Sequence, residues 1–206
     1  MHDKIKKEVK RMLQGRDPAH DINHIMRVYK NAKLIGSCEG SNMEILLPAV
    51  LLHDLVAYPK RSAKSSKSSD ESADVAENIL QRDGYPQDQI NQICYCIRAH
   101  SYSKKLIPSS LEGRILQDAD RLDALGAIGI ARTFSVGGSE NRTFYNANDP
   151  FCKSNRELDD MQCTLDHFQL KLLKLENFMH TRTGKKIARE RTRFIRLFIR
   201  QLQREI

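Results

Sequence analysis

Apolar residues recur at intervals of three and four along most of this 206-residue chain, from MHDKIKKEVKRM to the final RFIRLFIRQLQREI. That is the spacing of one face of an α-helix. The period-two alternation that a half-buried strand needs is nowhere convincing, and no segment repeats. The expectation is therefore an all-α, single-domain helical bundle over residues 1–206. The periodicity predicts a first helix over 2–14 and a second after Asp21, a residue suited to cap a helix N-terminus. A strongly apolar helix follows over 42–56, with Pro48 starting its inner part or kinking it. Next come an amphipathic stretch ending at Gly84, a helix opened by Pro86, and one long, mostly buried helix through SLEGRILQDADRLDALGAIGIARTF. A polar connection over 137–160 leads to two final helices. Residues 58–69, YPKRSAKSSKSS, read as a basic, Ser-rich loop with Lys60, Arg61, Lys64 and Lys67, in the first place a solvated linker.

Composition narrows the class. No apolar run approaches the roughly 20 residues that span a bilayer, and the charged first dozen residues do not read as a secretory signal. Five cysteines, none in a CxxC pair, suit a reduced, cytoplasmic protein rather than a zinc ribbon or a disulfide scaffold. The net charge is +8. From Lys171 onward there are eleven Lys and Arg against three acids, so residues 1–170 are balanced. Within that basic end, Phe194, Leu197, Phe198 and Leu202 recur at helical spacing, with Arg189, Arg193, Arg196, Arg200 and Arg204 towards other faces. The first reading is an amphipathic helix with a solvated basic side. Attraction of an anionic substrate or partner is the alternative, and the lack of a recognised motif argues against nucleic acid.

Ionisable groups sit where such a bundle would be apolar. His53-Asp54 falls inside AVLLHDLVAYP, and burying that pair is costly without compensation. Beside the apolar stripe Ile25, Val28, Ala32 and Ile35 runs a second one, His24, Arg27 and Asn31. Leu116, Asp120, Asp123 and Ala127 are spaced 4-3-4, which places two carboxylates on one helix face. His100 continues the stripe Ile90, Ile93 and Ile97. Several imidazoles and carboxylates on separate helices thus point to one interior, and a divalent metal is a partner that all of them can share.

His24, then His53-Asp54 after 29 residues, then Asp120 after another 66, resembles the ordered ligand set of the HD-domain phosphohydrolase superfamily. The segments AHDINHIMRV, LLHDL, IRAHS, LEGRILQDADRLDALGAIGIARTF and HFQLKLLKL with GKKIARERTRF are similar to small single-domain bacterial and archaeal HD hydrolases of the YedJ/YpgQ type. The resemblance spans nearly the whole chain. It implies HD core motifs at about 20–125, with basic C-terminal helices at about 160–206 packed on them. It implies that His24, His53, Asp54 and Asp120 ligate a divalent ion: Mn, Fe, Mg, Ni or Zn. Water activated by that ion would attack phosphorus. Asp54 thereby counts among the catalytic residues as well as the ligands. Arg27 and Lys171 are candidates to neutralise the phosphoryl oxygens. His100 and His167 would hold phosphate, donate a proton or complete a second metal site, and Asp123 would orient a ligand or contact substrate. Structural alternatives stay open: a satisfied core histidine for His100, an ion pair for Arg27, and the flanks of a core stripe for His167 and Lys171.

LHDLVAYPKR lacks the acidic pair that follows HD in guanosine-tetraphosphate hydrolases, and the HD-GYP signature is absent. What the resemblance then implies is a phosphohydrolase acting on a small phosphorylated substrate, a nucleotide in the first place, with pyrophosphate release from a nucleoside triphosphate as the finer reading. The alternative is a catalytically silent HD module that binds a nucleotide or a macromolecular partner. No membrane partner is expected, and a homodimer is left open.

Overall fold

The structure, a computed structural model, describes residues 2–15, 21–58, 62, 64–101 and 104–206. The expectation of an all-α chain holds among these residues. They form α1 (His2–Met12), α2 (Ile22–Glu39), α3 (Met43–Leu52), α4 (Ser68–Arg82), α5 (Gln87–Ala99), α6 (Leu111–Asp123), α7 (Gly126–Ser139), α8 (Asp166–Leu170) and α9 (Arg182–Glu205). Short 3-10 turns lie at Ser65–Lys67 and Leu172–Phe178. A single bridge joins Thr143 and Cys163. His20, Lys60 and Arg61 lie outside the described residues. The backbone separates into two compact units, Met1–Asp120 and Arg121–Ile206.

In the first unit, Asp21 caps α2 as expected, its Oδ1 accepting from the His24 backbone N–H at 2.9 Å. Ile25, Val28, Ala32 and Ile35 are wholly buried, so the apolar stripe is the core face. Gly40, at φ 72°, ends the helix. Gly36 lets α2 approach α3: a Cβ there would meet Leu46 Cδ2 and Ser41 Oγ at 2.7 Å. Asn42 caps α3 through the Glu44 N–H, and every residue of α3 from Ile45 to Leu52 is buried, Pro48 among them. Helix α3 is central, packing on α1, α2 and α5, while α4 packs on α5. The apolar run over 42–56 is not one helix. It stops at Leu52, and His53 turns its ring back so that Nδ1–H donates to the Val50 carbonyl at 2.7 Å. A continuing helix would offer that carbonyl to the next N–H.

The long helix expected through Phe134 is two helices. Leu125 is extended and Gly126 has φ 70°, a left-handed conformation that breaks the ladder. Ala127 therefore lies in the first turn of α7 and is exposed, instead of continuing the face of Asp120 and Asp123.

In the second unit, α7 packs on α9, and α9 on the 3-10 turn Leu172–Phe178. Phe134, Phe168 and Phe198 pack together, Phe168 stacking on Phe198 at 6.0 Å. The polar connection is braced rather than loose. Arg156 donates to both oxygens of buried Asp166 at 2.7 and 2.6 Å, and Asp149 accepts from the Lys153 and Ser154 N–H groups. The last two expected helices prove unequal: α8 spans five residues and α9 twenty-four. The apolar stripe of α9 is also phased differently. Gly184, Ala188, Thr192 and Ile195 are buried, while Phe194 and Leu197 are about half exposed. Helical spacing alone cannot choose between two adjacent apolar stripes on one helix.

Candidate metal centre

Four helix termini in the first unit bring imidazoles and a carboxylate together. His24 occupies the first turn of α2 and is 2% exposed. Its Nε2 lies 3.6 Å from Asp120 Oδ1, on the last turns of α6. Two turns further along α2, buried Asn31 donates from Nδ2 to the carbonyl of Ala119 at 3.3 Å, tying the two helices beside the carboxylate. His53 closes α3; its ring lies 5.5 Å from that of His24 and meets the His100 ring edge-on at 4.9 Å. His100 closes α5 as His53 closes α3, with Nδ1–H donating to the Ile97 carbonyl at 2.7 Å. Buried Gln117 clamps that corner from α6, donating to the carbonyls of Ala99 and Leu106 at 2.7 and 2.8 Å.

One donor atom each from His24, His53 and Asp120 lies within 4.8 Å of the others. Ligands about 2.1 Å from a tetrahedral ion stand about 3.4 Å apart, so the 3.6 Å between His24 and Asp120 suits a shared cation. The tautomer suits it too. Because carbonyl oxygens only accept, His53 and His100 each carry a proton on Nδ1, and in the neutral His53 ring Nε2 carries the lone pair. Ligating histidines commonly anchor their second nitrogen in this way. Burial, then the nearby His100, lowers the His53 pKa to about 4, with Asp120 and Asp54 opposing. His53 is therefore neutral at pH 7, the form that binds a metal.

Of the four expected ligands, the structure thus brings together His24, His53 and Asp120. Asp54, partly buried, lies outside that three-residue group and acts on His53 through its charge. Arg27 is half-buried on α2, three residues from His24. Asp123, His167 and Lys171 belong to the second unit. Buried Asp123 accepts from Arg132 Nη1 at 2.9 Å. His167 Nδ1 hydrogen-bonds Asp160 Oδ2 at 2.6 Å, and Lys171 follows the end of α8. Sequence reasoning missed Gln117, Arg132 and Asp160. A buried amide three residues before Asp120 was a usable signal for the first; nothing local marks the other two.

Comparison with known proteins bears on this arrangement. The HD domain family matches residues 21–125. The uncharacterized protein YpgQ of Bacillus subtilis (strain 168) is 32% identical over 208 residues, spanning 99% of this chain and 93% of that protein. The crystal structure of Bacillus subtilis YpgQ in complex with ADP superposes with a TM-score of 0.77 at 35% identity, covering 100% of this chain and 94% of its own. An HD-superfamily hydrolase from Bacillus thuringiensis gives 0.76 at 33% identity, covering 99% and 95%.

Proposed function

This chain belongs to the HD domain family, and from that membership we propose that it is a metal-dependent phosphohydrolase acting on a nucleotide. The observation that carries the reading is the shared donor space of His24, His53 and Asp120, in which the His53 Nδ1 proton is already held by the Val50 carbonyl. The donor set fits a divalent ion: nitrogen and oxygen ligands suit Mn, Fe, Mg, Ni or Zn. Those three residues would hold it, with Asp54 as the fourth ligand. When bound, such an ion supplies Lewis acidity towards a phosphoryl oxygen and acidifies coordinated water.

The remaining work falls to side chains of this chain. His100 offers Nε2 beside His53, placed to hold a phosphate oxygen or pass a proton. Arg27, on the same stripe of α2 as His24, brings a positive charge to an anionic substrate. Asp123, His167 and Lys171 are assigned to the substrate side on the resemblance alone. That YpgQ was crystallised with ADP supports a nucleoside phosphate as ligand here, and pyrophosphate release from a triphosphate is the finer form of the proposal. Metal analysis of the purified protein, and phosphate and pyrophosphate release from a nucleotide panel with Mn²⁺, Mg²⁺ and Co²⁺, test it. Asp54→Ala and Asp120→Ala should each lose metal and turnover. Retention of both properties in either variant overturns that residue's role. Nucleotide binding without turnover under every metal makes the protein a silent HD module.

A further inference from the structure

The positive charge of this protein is arranged, not scattered. Lys186, Arg189, Arg193, Arg196, Arg200 and Arg204 follow one another on α9 at spacings of 3, 4, 3, 4 and 4, and all six are exposed. At 1.5 Å per residue they form a straight row about 27 Å long. Neither acid of α9, Glu190 or Glu205, falls on those positions. Among the described residues, the one ion pair to the row is Arg196 with Glu176 at 3.4 Å. Arg98 on α5, by contrast, is paired with both Asp74 and Glu77. Like charges three and four residues apart repel, so the row costs helix stability that a face of mixed sign would keep.

We propose that this outer face of α9 docks on the phosphate backbone of duplex nucleic acid, without reading its sequence. A duplex presents roughly 16 phosphate charges over about 27 Å, a line of charge complementary to the row. A lipid surface is the poorer match. Interfacial helices bury a continuous apolar face in the bilayer, whereas Ala188 and Ile195 of α9 are already buried in the protein. Only Phe194 and Leu197 stand exposed beside the row. The binding is independent of the hydrolytic centre, so it survives failure of the phosphohydrolase reading.

Fluorescence anisotropy of the full-length protein with a labelled mixed-sequence duplex of about 24 base pairs, as DNA and as RNA, tests this. Chelator is present to suppress hydrolysis, and KCl runs from about 50 to about 250 mM. The logarithm of affinity should fall linearly with that of salt, with a slope of about 4 to 5 for contacts by most of the row. Arg193→Gln/Arg200→Gln should lower the slope by about 2 and weaken all sequences alike. Lys7→Gln/Lys10→Gln on α1 removes the same charge and should leave the slope unchanged. Should the double variant misfold by circular dichroism, Arg200→Gln alone should lower the slope by about 1. No binding at the lowest salt, a slope below about 2, or equal loss in the α1 control overturns the proposal. So does capture by phosphatidylglycerol vesicles that duplex cannot compete away.

Discussion

Lowering the pH in the presence of chelator should destabilise this protein through His53 in particular. The buried imidazole has its pKa lowered to about 4, against 6.5 for an unperturbed ring. Because the folded value is the lower one, the unfolded chain takes up the proton first. The contribution of His53 is complete above the unfolded pKa and is lost as pH falls from about 6.5 towards 4. At pH 5 the unfolded ring is almost fully protonated and the folded ring about one-tenth so. The linkage integral between pH 7.5 and 5 is then about 2 kcal/mol. Urea denaturation at the two pH values, in wild type and in His53→Gln, isolates the effect. The substitution lowers stability at both pH values, but the pH-dependent part should shrink by about 2 kcal/mol. Equal pH-dependent losses in the two proteins would refute the burial argument, and with it the reason His53 is ready to ligate at neutral pH.

Two further outcomes follow from geometry. Gly126→Ala forces a Cβ into the left-handed region at φ 70° and to within 3.2 Å of Arg191 Cγ; urea unfolding should show a loss of about 1–2 kcal/mol, and an unchanged midpoint would mean that the α6–α7 break does not need glycine. Burial pushes the Cys94 and Cys96 thiols up to about 11, so iodoacetamide at pH 8 should label exposed Cys38 in the native protein and spare these two. Peptide mass spectrometry that found Cys96 modified before unfolding would contradict this.

Much of the centre was legible before any coordinates. The Asp21 cap, the core stripe from Ile25 to Ile35 and its companion His24, Arg27 and Asn31 are local matters of helical spacing, and the structure carries them all. What spacing could not supply was where helices end and which side of them is covered. Gly126 broke a run that pattern alone continued, because tolerance of a left-handed residue does not reveal whether the chain adopts one. On α9 two apolar stripes competed, and the one holding Ala188 and Ile195 was buried.

Sequence therefore determined the helices and which ionisable groups ride on them, because backbone hydrogen bonding and side-chain period act within a few residues. Only tertiary packing decided that His24, His53 and Asp120 share one space. It likewise paired Asp123 with Arg132 and His167 with Asp160. Such partnerships depend on how the chain packs rather than on the spacing along any one helix.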